Sequence, residues 1–150
     1  MIKRLARVLF GDYRLYRIYA YDTARATAAA ALPGVRYGPV TDTAQLENAE
    51  DPVLRGLVRY AGDGAFGYGA WVDGTLAALS WYWTPARHQD HDLWPLAPHD
   101  AWWAQLTTAA AYRGRGIAGG LARYATGQMA QRGYATLYGS VWHNHYVSMR

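Results

Sequence analysis

The sequence predicts an α+β domain of three layers, with helices flanking a sheet, and two stretches carry that prediction. The first is a hairpin. Residues 65–72 and 75–84 are rich in Tyr and Trp, and Asp73-Gly74 joins them as the two-residue turn that matches hairpin twist. The second is a strand over residues 101–108, a glycine-rich turn at 113–116, a helix that starts inside the turn, and a further strand over 134–141. The whole order reads helix, strand, two helices, hairpin, long loop, strand, turn and helix, strand, and the start of another helix.

Residues 2–31 read as a helical extension, hinged near Gly11-Asp12, because Leu5, Val8, Leu9, Tyr16 and Tyr19 recur at helical spacing. Lys3, Arg4, Arg7, Arg14 and Arg17 are interleaved with Tyr13, Tyr16, Tyr19 and Tyr21. A basic amphipathic helix of this kind either lies on an anionic membrane surface or packs on its own domain or a partner chain, and packing is the commoner fate. The alanine-rich run 24–31 is its tail, closed by Pro33-Gly34. Residues 35–150 are then the core, in which 35–41 form a strand and Asp42 or Thr43 caps a short helix. Pro52 opens another helix through Tyr60, stopped by Gly62-Asp63-Gly64.

Residues 85–100 read as a proline-punctuated loop. His88-x-x-His91 with Asp90 or Asp92 has the residue types of a metal site, and His143 and His145 are a weaker pair. Without a further ligand set a solvated loop is the expectation, and no metal is assigned. At 150 residues the chain is long enough for one domain with its own core. A formal charge of +4 suits an anionic ligand, and no nucleic-acid motif accompanies it, so no nucleic acid is expected. With zero cysteines, disulfides, thiolate metal sites and a cysteine nucleophile are excluded. No apolar run or cleavable leader is evident, so the cytoplasm is the expected location.

The turn itself holds the functional signal. Gly114 and Gly116 permit backbone conformations in which several N–H groups converge, and the helix that opens there adds unpaired N–H groups and the positive end of its dipole. Arg113 and Arg115 add charge. Such a turn suits a phosphate or pyrophosphate. A P-loop is excluded because no Gly-Lys-Ser/Thr follows. Gly114-x-Gly116-x-x-Gly119 matches the dinucleotide fingerprint, but no Asp or Glu occurs from residue 101 to 150 to hold a ribose.

Arg113-Gly114-Arg115-Gly116-Ile117-Ala118 resembles, at every fixed position, the pyrophosphate turn of the GCN5-related N-acetyltransferases (Arg/Gln-x-x-Gly-x-Gly/Ala). Tyr112 and Leu121 flank it as is typical of that family. Leu106-Thr107-Thr108 stands where the family's strand pairs with the pantetheine arm, and Asn144 to Ser148 resembles its Asn-x-x-x-Ser segment. The resemblance is specific over residues 101–150 and architectural upstream.

It implies a mixed, mostly antiparallel sheet whose fourth and fifth strands splay apart. It also implies acetyl-CoA or another acyl-CoA as co-substrate, held by Leu106, Thr107, Thr108, Arg113, Gly114, Arg115, Gly116, Ile117, Ala118, Gly119 and Asn144. A small-molecule or peptide amine would be the acceptor. The alternatives are a non-catalytic acyl-CoA-binding module and a membrane-surface protein acting through the N-terminal helix. The chain departs from the family in carrying Gln105 where a Glu base often stands, which leaves Asp100 and His99 as the nearest candidate bases. The family's general-acid Tyr has no counterpart, Tyr146 standing too early, and the last two strands are absent. Either the chain is part of a longer one, or its N-terminal helix covers what those last strands normally cover, or a second copy completes the sheet as a homodimer.

Overall fold

The computed structural model describes residues 16–29, 32–89 and 94–142. Its centre is one six-stranded sheet in the order β1-β6-β5-β4-β3-β2. The strands are β1 (Tyr16–Asp22), β2 (Val35–Val40), β3 (Ala65–Val72), β4 (Thr75–Trp83), β5 (Asp100–Thr108) and β6 (Thr136–Trp142). All neighbours run antiparallel except β5 and β6, which are parallel. Between them lie α1 (Ala44–Glu47), α2 (Pro52–Arg55), α3 (Pro85–His88) and the long α4 (Ile117–Gln131).

The hairpin forms where the sequence places it, with Asp73 at φ 49° and Gly74 at φ 83°, the positive pair that a two-residue turn of this kind demands. Asp42 accepts a hydrogen bond from the Ala44 amide at 2.8 Å and so begins α1. The helix opened by Pro52 is α-helical only to Arg55, and a tighter 3-10 segment, Gly56–Tyr60, carries it on. Within the long loop, Thr84 caps the single turn of α3.

One expectation is overturned. The helical extension over 2–31 is not what the described part of that stretch forms: residues 16–22 are strand β1, followed by the 3-10 turn Thr23–Arg25 and a run without regular secondary structure over 26–29. The alanine-rich tail is therefore not helical over 26–29. Residues 1–15 lie outside the described residues. β1 pairs antiparallel with β6 from Tyr16↔Trp142 to Asp22↔Thr136, so a strand of this chain's own covers the edge that was expected to be open. The physical reason is the edge itself: β6 offers a row of backbone groups, and pairing with it outweighs a weak helical period.

Two cores sandwich the sheet. On one face α4 buries Ile117, Leu121, Ala125 and Met129, at helical spacing, against Tyr68, Tyr82, Ala101 and Leu137. On the other, Leu46, Leu54 and Leu57 pack on Trp71, Leu79 and Trp81, and Trp83, Leu96 and Trp102 extend that layer. Consecutive Trp102 and Trp103 face opposite layers, as strand alternation requires.

The feature that positions everything else is a β-bulge. β4 pairs with β5 as Trp81↔Gln105 and then Tyr82↔Trp103, so Ala104 is the extra residue. On the other side of β5, pairing with β6 runs from Asp100↔Thr136 to Trp103↔Gly139 and stops there. β5 thus turns away from β6 at its bulge. Ser80, fully buried, braces the kink: its hydroxyl accepts from the Trp103 indole at 2.8 Å and donates to the Gln105 carbonyl at 3.1 Å.

Replacing Ser80 with Ala would strand the Trp103 N–H without its acceptor. Such a loss costs about 1–3 kcal/mol, and for a domain of this size that lowers the melting temperature by roughly 2–12 °C. Thermal denaturation followed by circular dichroism checks it; an unchanged midpoint would mean that the brace carries no load.

Candidate functional site

The divergence creates a gap with backbone groups on one wall. The Ala109 amide donates to the Ala77 carbonyl at 2.8 Å, which fixes the alternation along β5: residues 105, 107 and 109 turn their polar backbone toward β4. Leu106 and Thr108 therefore direct theirs away from β4, into the space that β6 has left. Thr108 confirms the direction, because its carbonyl accepts from Nε of Arg113 at 3.2 Å. Among the described residues nothing pairs with the Leu106 N–H and C=O or the Thr108 N–H, which can meet an extended ligand lying between the strands. Thr107, grouped with them on sequence, has its backbone in the β4 ladder, and its hydroxyl accepts from the Gln105 side-chain amide at 2.7 Å.

The glycine-rich turn lies just beyond the end of β5, after the 3-10 turn Ala110–Tyr112. Gly114 and Gly116 sit at φ 76° and 75°, in the left-handed region where a Cβ is strained. Gly116 is the residue that precedes α4, with no side chain capping the helix and no acidic residue in its first turn. The first hydrogen bond of the helix runs from the Gly120 amide to the Gly116 carbonyl at 3.1 Å. The amides of Ile117, Ala118 and Gly119 thus have no carbonyl to bond within the helix, and their dipoles point outward at the turn.

Three arginines belong to the turn and the first turns of α4. Arg113 and Arg115 are exposed, Arg115 lying 5.3 Å from the centre of the Tyr112 ring. The third, Arg123, was not singled out in the sequence; a Cβ on Gly119 would lie 3.7 Å from its guanidinium. Its signal was the i, i+4 spacing from Gly119, which puts both on one helix face. Gly120 has a different task, because a Cβ there would collide with the Tyr37 hydroxyl. A phosphate-bearing group fits these residues: free amides, a dipole end, cationic side chains, and open space at Gly114.

Asp51 ties the turn to the opposite layer. One of its oxygens accepts from the Val53 and Leu54 amides at 2.8 and 3.4 Å, and the other accepts from the Ala110 amide at 3.2 Å. Burial works against its charge, but the hydrogen bonds from Val53, Ala110 and Leu54 and the charge of Arg113 outweigh it, so its pKa falls below the ordinary carboxylate value.

The candidate bases are placed elsewhere. Asp100 accepts from the Ala97 amide at 3.1 Å and pairs with Thr136, at the end of β5 where the strands are still joined. His99 is exposed, and its carbonyl accepts from Ala135 at 2.7 Å. Neither is brought to the divergence. Tyr82 is buried in the core, and burial pushes its hydroxyl pKa well above the usual value, which makes it a poor proton donor there. His88 stacks on Trp102 with ring centres 4.7 Å apart. His91, Asp90, Asp92, His143, Asn144, His145 and Tyr146 lie outside the described residues, and among the described residues no cluster of metal-ligating side chains occurs. No helix among them is long and apolar enough to cross a membrane.

Residues 36–149 match the sequence model of the Acetyltransferase (GNAT) family. No curated protein matches the chain. Among solved structures, a tandem GNAT protein from the clavulanic acid biosynthesis pathway superposes with a TM-score of 0.61 at 13% identity, over 98% of this chain and 52% of its own. A GCN5-related N-acetyltransferase from Sphaerobacter thermophilus gives 0.60 at 15% identity, over 96% and 48%. The ribosomal-protein-S18-alanine N-acetyltransferase from Escherichia coli gives 0.57 at 14%, over 77% and 72%. The chain therefore spans about half the length of the first two, and at these identities the likeness establishes the fold. With its sequence matched over most of its length and its sheet and turn arranged as described, the chain belongs to the Acetyltransferase (GNAT) family.

Proposed function

We propose that this chain is an acyl-CoA-dependent N-acyltransferase of the cytoplasm that transfers acetyl from acetyl-CoA to an amine. The observation that carries the reading is the continuity between the gap and the turn. Leu106 and Thr108 offer backbone groups along the divergence of β5 from β6, and the free amides of Ile117, Ala118 and Gly119 stand beyond the same strand's end. A ligand with an extended arm and a pyrophosphate matches that line. Bound there, acetyl-CoA supplies an activated thioester.

The chain's own part is to hold and orient. Arg113, Arg115 and the α4 amides take the pyrophosphate, with Gly114 and Gly116 keeping the turn's shape. The Leu106 and Thr108 backbone pairs with the arm as a neighbouring strand would. An amide of this stretch, aimed into a gap lined by protein, is also placed to donate to the acyl oxygen as charge gathers on it. Asn144, on the resemblance, adds a cofactor contact.

Proton handling is the weaker part of the chemistry. β5 from 104 to 108 and β6 from 139 to 142 carry no carboxylate and no imidazole, and Asp100 and His99 are held before the divergence. This favours a second reading, a module that binds acyl-CoA without turning it over. If the chain is an enzyme, the acceptor gives its proton to water, and kcat/KM should rise about tenfold per pH unit below the acceptor's own pKa. Release of free CoA, followed with a thiol reagent across a panel of primary amines, checks this. Binding without release under every condition would favour the module.

Calorimetric titration with acetyl-CoA tests the site itself. Gly116→Ala puts a Cβ in the left-handed region at a cost of about 1–2 kcal/mol; the free turn sheds that strain by relaxing and binding must restore its shape, so affinity should fall roughly 5- to 30-fold. Arg113→Ala removes a charge-assisted contact of about 1.5–3 kcal/mol and should weaken binding by more than tenfold. Wild-type binding that neither variant weakens would place the ligand elsewhere.

A further inference from the structure

Among the described residues β1 is an edge strand without the usual protections. Three of the exposed large hydrophobic residues, Ile18 at 44%, Tyr19 at 45% and Tyr21 at 40%, lie on it, and all of residues 17–22 are exposed. It holds no proline, glycine, lysine or bulge, whereas β2, at the opposite edge, contains Pro39. Among the described residues nothing pairs with its outer side. The Thr23 amide donates to the Ala135 carbonyl at 2.9 Å, which sets the alternation: residues 17, 19 and 21 bond to β6, and Tyr16, Ile18, Ala20 and Asp22 turn their backbone N–H and C=O outward.

We infer that this edge pairs with the same edge of a second copy of the chain, antiparallel about Tyr19, so that two sheets become one. Like-with-like antiparallel pairing must match outward residues with outward residues. Among such registers, only the one centred on Tyr19 engages all seven residues of the strand. It sets Ile18 opposite Ala20, Tyr16 opposite Asp22 and Tyr19 opposite itself. Arg17 comes opposite Tyr21, a cation against an aromatic face, on the same side of the sheet as the Tyr19 pair. Charge permits the match. The chain carries a net +4, yet β1 holds one Arg and one Asp and is neutral, so two copies meet there without net repulsion. The inference does not depend on acyl transfer.

The absence of cysteine makes the register directly testable. With Tyr19→Cys, residue 19 would face its own copy as a non-hydrogen-bonded pair, within disulfide reach, and mild oxidation should give a covalent dimer on a non-reducing gel. With Tyr21→Cys, the two sulfurs would stand about 13 Å apart along the strands and should not join. Unmodified protein should show twice the 16.7 kDa chain mass by light scattering. Ala20→Pro removes an outward N–H while sparing the ladder to β6, and should give monomers with unchanged circular dichroism. A wild-type monomer, equal cross-linking at 19 and 21, or a folded Ala20→Pro variant that stays dimeric would each overturn the inference. Should Ala20→Pro fail to fold, the pair of cysteine variants decides alone.

Discussion

β5 is paired with β6 over only its first half, and that half-pairing is the constraint on which the site depends. A strand in the middle of a sheet ordinarily spends all its backbone groups on its neighbours. Here the bulge at Ala104 adds one residue against β4, bends β5, and ends its contact with β6 after Trp103↔Gly139. From that point the ladder to β4 continues while the groups on the other side face an opening. The bend would be costly if it left buried polar atoms unmatched, and Ser80 meets that cost by joining the Trp103 indole to the Gln105 carbonyl.

The same strand then delivers the chain into the turn that begins α4. Nothing but a short 3-10 segment lies between them, and Asp51 fixes that segment to the opposite layer through the Ala110 amide. Gap and turn are therefore held in one frame: the backbone of Leu106 and Thr108, the amides at the head of α4, and the arginines of the turn. α4 is itself pinned by Ile117, Leu121, Ala125 and Met129 against the sheet, so its N-terminal dipole cannot swing away from the strand's end. The charge there is fixed and preorganised rather than recruited by a moving loop.

Much of this was legible in the sequence because it rests on local rules. Asp73-Gly74 dictates its hairpin, and Gly114 and Gly116 dictate the left-handed turn they form. Two other features were not legible. β1 misreads as helix because Tyr16 and Tyr19 continue an upstream helical period. Alternation cannot correct the error, since both faces of β1 are exposed and select no period of two. What makes β1 a strand is the edge of β6, more than a hundred residues away in sequence. The bulge at Ala104 was equally hidden, because an extra residue is defined only by its partner strand. Arg123 was missed for a smaller reason: helical spacing from Gly119 was there to be used.

The most direct test of the account is an amide-resolved NMR titration of the chain with acetyl-CoA. The alternation along β5 predicts a pattern that a nonspecific anion site would not give. The amides of Leu106 and Thr108 should shift strongly, together with those of Ile117, Ala118 and Gly119, while Gln105 and Thr107, locked to β4, should move little. Equal shifts at 105 through 108, or shifts confined to the turn with none on β5, would contradict the claim that one ligand occupies the gap and the turn together.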